Sequence, residues 1–184
     1  MKTGYKYLWL LVPWVEAAMK TFAIMIDQQN SDQTASNQFE SLAMSGCQKA
    51  VSETLPTSST KFQCKWIFAP PASYTSSPTT WLISQISSDP TIIHGYMMGF
   101  YYADLLIPIA SHFPNISFSF NDAAIDPTSL PNIQGIVFQE DEAGFLAGVT
   151  AGSITQTNIV AVVGNYPIPP IQRYMQGYLK GVKY

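Results

Sequence analysis

Polar and aromatic residues gather at the ends of several predicted strands, where the chain changes from apolar to polar. They are Asp27, Tyr96, Phe100, Asn121, Asp122 and Glu140. The carboxyl ends of parallel strands meet at one edge of a sheet, and ligands of such sheets bind outside that edge. Carboxylates, an amide and aromatic rings brought together there suit a small polar ligand that contains a ring. The pattern therefore predicts a small-molecule binding site.

Familiar catalytic patterns are absent from the sequence. It contains no G-x-S-x-G elbow, no G-x-G-x-x-G after the first strand and no G-x-x-x-x-G-K-[ST] loop. His94 lies inside an apolar strand, which favours a structural core histidine. Glu140 and Glu142 could act as general acid and base, but acids in the first turn of a helix also suit its positive end. We expect no catalytic residue, metal ion or cofactor.

Cys47 and Cys64 are the only cysteines in the chain. Their C-x16-C spacing without a nearby histidine is not a zinc pattern. They could pair in an oxidising compartment or remain as two buried thiols, and the sequence leaves both open.

The scaffold that positions these residues is predicted from alternating apolar runs and amphipathic stretches. Predicted strands cover 22–26, 62–68, 91–95, 116–120, 134–138 and 158–163. Predicted helices cover 37–53, 78–86, 100–112 and 168–180, and a further helix rich in small residues starts at Glu140 and is expected to sit tightly on the sheet. Strands separated by helices indicate an α/β fold with a mainly parallel sheet and helices on both faces.

The N-terminus carries the features of a signal peptide. Lys2 and Lys6 precede an apolar run over 7–15, and Val15 and Ala17 occupy the positions expected before a cleavage site. We expect residues 1–17 to be removed on export, the alternative being an amphipathic or buried N-terminal helix. No cysteine lies near the site, so a lipid anchor of the bacterial lipoprotein kind is not expected.

Composition argues against nucleic-acid binding. The net charge is −3, and no Lys or Arg occurs between Lys65 and Arg173, whereas a nucleic-acid binder needs a basic patch. Asn115 begins an N-x-S glycosylation sequon, which fits a secreted or extracytoplasmic protein at the outer face of a plasma membrane.

Longer stretches resemble the basic membrane protein family of ABC-transporter substrate-binding proteins, which includes the purine nucleoside receptors. The resemblance covers about 21–184, and it is carried mainly by residues 132–148, 159–164 and 167–173, with Gly177 and Gly181. It implies a type I periplasmic-binding-protein fold, in which two α/β lobes close over a small ligand. It also implies a partner transporter or receptor in the membrane.

Individual ligand contacts follow from the same resemblance. It places Asp27 where the family has an Asp that hydrogen-bonds the base, and Asn37 where the family has an Asn. Ser36 stands where the family has a stacking aromatic residue, so purine preference requires Phe39 or Tyr96 to substitute.

The resemblance also implies a division of the chain. Residues 21–157 correspond to lobe one and 158–184 to the start of an incomplete lobe two, since family members continue well past Tyr184. Tyr166 belongs to the loop that opens lobe two. We expect these 184 residues to bind a nucleoside weakly or undetectably, and to oligomerise or aggregate through the apolar surface of 158–184.

Two other functions remain open at this level. One is a secreted nucleoside-processing hydrolase that uses Asp27 or Asp32 with the acids of 140–142. The other is a truncated remnant that binds nothing.

Overall fold

A computed structural model describes residues 19–27, 38–54, 60–69, 77–99, 102–126, 128 and 130–184. Its elements, in chain order, are β1 Met19–Asp27, α1 Gln38–Thr54, β2 Lys61–Ala69, α2 Pro78–Ser87, β3 Ile92–Met97, α3 Leu106–His112, β4 Ser117–Asn121, β5 Ile133–Ile136, α4 Glu140–Ile154 and α5 Pro169–Lys183.

The five strands form one parallel sheet in the order β2-β1-β3-β4-β5. All five therefore end at the same edge, and the strand order reverses between β1 and β3, which is where open α/β sheets place ligands. The predicted α/β class with a mainly parallel sheet is confirmed.

Helices cover both faces of the sheet. Ala23 and Met25 of β1 point into a core shared with α2 and α3, whereas Ile24 and Ile26 point to the side of α1. This alternation follows from the two-residue period of a strand. A strand that is apolar on both faces has to be covered twice, as the continuous apolar run in β1 predicts.

Helix α3 is shorter than the predicted 100–112. It begins at Leu106, after a turn over residues 102–105. Pro108 explains the late start, because proline lacks the N–H that a helix interior needs and is tolerated in the first turn. Phe100 lies outside the described residues.

The prediction of a strand over 158–163 is wrong. This segment joins α4 to α5 without pairing to any described strand, and Ile159 and Val163 are 76% and 93% exposed. Apolar β-branched residues favour a strand, but a strand also requires a hydrogen-bonded neighbour.

Helix α4 packs on α5, which corrects the expectation that its small residues hold it against the sheet. A Cβ at Gly144 would meet the carbonyl of Tyr174, and one at Gly148 would meet the carbonyl of Tyr178. The residue numbers of the contacting pairs increase together along α4 and α5, so the two helices run parallel. Glycine permits this approach because it has no side chain.

Candidate functional site

The carboxyl edge of the sheet carries a short chain of hydrogen bonds from β3 to β4. The N–H of Gly99 donates to Oδ1 of Asn121 at 3.1 Å, and Nδ2 of Asn121 donates to Oδ2 of Asp122 at 2.7 Å. Gly99 has φ +87°, a conformation that favours glycine. Asn121 is 1% exposed, so its amide fixes the two neighbouring loops relative to each other.

Asp122 turns the chain away from β4. Its φ is +70°, in the left-handed region that Asp adopts more readily than most residues. Burial, together with the nearby charge of Glu140, raises the pKa of Asp122, while Arg173 and the Asn121 amide oppose this shift. The side chain is therefore a partly desolvated carboxyl group at the edge of the sheet.

Glu140 forms a partly buried ion pair with Arg173, which joins α4 to α5. Nε of Arg173 donates to Oε2 of Glu140 at 2.7 Å, and the Glu140 side chain is only 4% exposed. This hydrogen bond, with the charge of Arg173, holds the pKa of Glu140 below its ordinary value against the opposing effect of burial. Glu140 therefore links α4 to α5 through Arg173, in addition to complementing the positive end of α4.

The second oxygen of this carboxylate is unsatisfied. Among the described residues, neither Oε1 of Glu140 nor Nη2 of Arg173 has a hydrogen-bond partner, although both atoms are buried. A buried polar atom without a partner is costly and calls for a water molecule or ligand group. Oε1 can accept and Nη2 can donate.

A cavity of about 300 Å³ adjoins these groups. The residues that line it are Asp122, Phe138, Glu140, Ile168, Pro170, Ile171 and Tyr174. Its volume is at the lower end of the range of ~300–1,000 Å³ for small-molecule sites. Two carboxyl groups beside aromatic rings can hydrogen-bond the hydroxyl groups of a ligand and pack against its apolar face.

The predicted site residues are not all brought to this cavity. Glu140 lines it, whereas Tyr166 is 53% exposed in the segment between α4 and α5 and is not among the lining residues. Asp27 ends β1, and its side chain lies outside the described part. Asn37, with Ser36, and Phe100 also lie outside it.

Tyr96 lines a second cavity, of about 240 Å³, between the sheet and α1. Burial raises the pKa of its hydroxyl, and the charge of Asp122 adds to this shift. Tyr96 is thus close enough to Asp122 to sense its charge while it lies on the α1 side of the sheet.

His94 lines the same cavity and has a structural role. Its Nδ1 lies 2.8 Å from the Ser117 hydroxyl, and its Nε2 lies 3.0 Å from the Ser119 hydroxyl. Burial lowers the pKa of this histidine. Both ring nitrogens of His94 therefore have a serine hydroxyl as hydrogen-bond partner, which fixes the orientation of the ring.

Sequence reasoning missed three contributors to the site, namely Phe138, Arg173 and Tyr174. Arg173 lies in a segment that resembles the family, but no nearby sequence pattern indicates that it pairs with Glu140, which is 33 residues earlier. The strand predicted over 134–138 includes Phe138, but β5 ends at Ile136 and the Phe138 ring is 60% exposed.

The described part of the chain has no cluster of three potential metal ligands. Nor does it contain a helix with the length and hydropathy needed to span a bilayer.

A family model for PnrA-like ABC transporter substrate-binding proteins matches residues 48–184. The chain is 31% identical over 102 residues to the CD4+ T-cell-stimulating antigen of Listeria monocytogenes, covering 55% of this chain and 28% of that protein. It is 30% identical over 86 residues to the ABC transporter nucleoside-binding protein BmpA of Lactococcus lactis, covering 47% and 24%. The aligned part thus spans about a quarter of the length of these relatives.

The fold also matches a solved structure. The crystal structure of an ABC transporter solute-binding protein from Aeropyrum pernix K1 superposes with a TM-score of 0.61 at 22% identity. The match covers 90% of this chain and 43% of that one. At this identity the likeness establishes the fold alone.

Proposed function

Because the chain belongs to the family of PnrA-like ABC transporter substrate-binding proteins, we propose that it binds a purine nucleoside without catalysing a reaction. Its parallel α/β sheet corresponds to lobe one of a type I periplasmic-binding-protein fold. We assign 21–157 to this lobe and 158–184 to the start of lobe two. Uptake or sensing through a membrane transporter or receptor is the role that fits such a binder.

The observation that carries this proposal is the cavity at the carboxyl edge of the sheet. Asp122 and Glu140 supply carboxyl groups, and Oε1 of Glu140 has no hydrogen-bond partner among the described residues, so it is able to accept a bond from a ligand. Phe138 and Tyr174 supply rings for a flat or partly apolar ligand. A nucleoside combines hydroxyl donors with an aromatic base, so it matches both kinds of group.

Two further points support a nucleoside and an extracytoplasmic location. The Lactococcus relative is named a nucleoside-binding protein. In this chain, Cys47 and Cys64 form a disulfide with Cα atoms 6.2 Å apart, and structural disulfides persist mainly in oxidising compartments. The predicted signal peptide over 1–17, which would direct export, lies outside the described residues.

The test is a thermal-shift and calorimetric titration of the protein with inosine, guanosine, adenosine and uridine up to millimolar concentration. Chromatography of the same mixtures would detect any free base. We expect saturable stabilisation by purine nucleosides without product, since a ligand that binds only the folded state stabilises it by mass action. Absence of stabilisation by every nucleoside, or release of a base, would contradict the proposal.

Two variants make the test specific to the cavity. Glu140→Gln removes the charge of the buried carboxylate and should weaken nucleoside binding on the order of tenfold, as expected for one charge-assisted hydrogen bond. Glu142→Gln makes the same change two residues later on an exposed position and should bind like the unmodified protein.

A further inference from the structure

Helix α1 is attached to the sheet in a different way from α2 and α3. The disulfide between Cys47 and Cys64 joins the middle of α1 to β2. This bond settles the pairing that the sequence left open. It closes a segment with a sequence separation of 17 residues, so it acts directly on the position of the helix.

The packing beneath α1 is thin. Within the part of α1 whose side chains are described, 41–53, no residue is fully buried, and Leu42 is 67% exposed. Ala43, Met44 and Cys47 are only partly buried where they meet the sheet. In contrast, Leu82 of α2 and Ile109 of α3 are both 0% exposed.

A cavity lies where a packed interface would otherwise be. The volume of about 240 Å³ beside Tyr96 and His94 is lined on the helix side by Ala43, Cys47 and Ala50 and opens to solvent. Two of these three side chains end at Cβ and cannot fill the space. Buried apolar area and close contact normally hold a helix on a sheet, and the described side chains of α1 supply less of both than those of α2 and α3 do, although they cover Ile24, Ile26 and Met98 of the sheet.

We infer that the Cys47–Cys64 disulfide, rather than packing, holds α1 on the sheet, so that reduction of this bond releases the helix. A dithiol reductant would carry out the change. One of its thiolates attacks a sulfur of the disulfide, its second thiol resolves the mixed disulfide, and two protein thiols and one oxidised dithiol result. Both cysteines are partly exposed, so the reductant can reach them.

Release of α1 would uncover the face of the sheet that carries Tyr96 and Met98. A cross-link that closes a loop of this length changes the stability of the ordered state by about 100-fold. The effect should be local, because α2 and α3 pack on the opposite face through their own buried side chains. This inference stands on the packing alone and does not require a nucleoside ligand.

Hydrogen exchange by mass spectrometry tests the idea on the whole protein, oxidised or treated with dithiothreitol, with alkylation to confirm free thiols. We expect amides of 41–53 to exchange at least tenfold faster after reduction, while those of 78–87 and 106–112 keep their protection. The double variant Cys47→Ser, Cys64→Ser should behave like the reduced protein and should not respond to dithiothreitol.

Two results would overturn the inference. If α1 keeps its protection although alkylation proves that both thiols are free, packing holds the helix. If α2 and α3 lose protection together with α1, the disulfide supports the whole fold and there is no releasable helix.

Discussion

Phe118 and its neighbours fill the face of the sheet beneath α2 and α3, whereas the facing positions of α4 and α5 carry glycines. On the sheet, Phe118 and Phe120 are each 1% exposed in a continuous apolar core. Between the helices, Gly148 and Gly177 face the backbone of the partner helix. The first region is stabilised by the area that it buries, and the second by the closeness of two backbones.

The difference predicts opposite responses to mutation. The sheet core should be sensitive to the loss of volume and tolerant of swaps that conserve it. The helix pair should be insensitive to changes on its outer surface, where Leu146 and Leu179 are already more than half exposed. It should be intolerant of a side chain at Gly148 or Gly177, whose Cβ would meet the backbone of the other helix.

Phe118→Ala should have the largest effect. The ring contacts the position where a Cβ on Gly95 would lie, so its removal leaves a cavity between β3 and β4. We expect the free energy of unfolding to fall by ~3–5 kcal/mol, measured by urea denaturation. Phe118→Leu, which keeps most of the volume, should cost less than half as much; equal losses would show that volume does not limit this core.

Gly148→Ala should come next. A methyl group here lies against the carbonyl of Tyr178, so α4 and α5 would have to separate. The free energy of unfolding should fall by about 2 kcal/mol, since overpacking outweighs the better helix propensity of alanine. Gly46→Ala in α1 is the matched control: among the described residues, nothing outside its own stretch of helix lies within 4 Å of its Cβ position, and the change should be neutral or stabilising by up to ~1 kcal/mol.

Arg173→Met tests whether a polar contact adds to the glycine contacts between the two helices. It leaves Glu140 buried without its partner and should lower the free energy of unfolding at pH 7 by less than Gly148→Ala does. This is less than for a fully buried pair, because the Arg173 side chain is 35% exposed and solvent screens it.

The pH dependence of this loss has a definite sign. The folded pKa of Glu140 is lowered, so its stabilisation is present above the ordinary value of 4.5 and disappears as pH falls through the folded value. Without Arg173, burial would instead favour the protonated acid. The difference between the two proteins should therefore shrink as pH falls below 5, as measured by urea denaturation in acid. A difference that grows in acid would contradict the ion pair.

Local signals in the sequence predicted most of the sheet. The apolar run at 22–26 falls within β1, and Ser77 followed by Pro78 marks the start of α2, as expected for an N-cap with proline in the first turn. These features depend on residues close together in the chain. The segment 158–163 has an equally good strand pattern. A strand also needs a neighbouring strand to pair with, and that neighbour comes from elsewhere in the chain, so the local pattern does not reveal whether it exists.

The sequence predicts where the candidate site lies but not which residues form it. Glu140 was placed at the carboxyl edge because strand ends of a parallel sheet meet there. Its pairing with Arg173 and the rings of Phe138 and Tyr174 depend on how α5 returns to the sheet edge, which only the folded chain determines. For the same reason α4 was assigned to the wrong neighbour, since small residues indicate a close approach without naming the partner.

Ser77→Ala should have the smallest effect on the free energy of unfolding. The size of the effect tests whether the buried side chains of α2, rather than its N-cap, hold the helix on the sheet. Oγ of Ser77 accepts a long bond of 3.4 Å from the Thr80 N–H and lies 2.8 Å from the Thr80 hydroxyl, and both contacts are exposed, so their loss should lower the free energy of unfolding by only ~0.5–1 kcal/mol. Ser77→Asp keeps an acceptor and adds a charge that suits the helix start, so urea denaturation should find its stability unchanged or slightly higher. Leu82 and Ile86 of α2 are 0% and 1% exposed, and they hold the helix whether or not its first turn is capped. A loss from Ser77→Ala as large as that from Phe118→Ala would mean that α2 depends on its end rather than on its buried face, and the contrast between the two regions would fail.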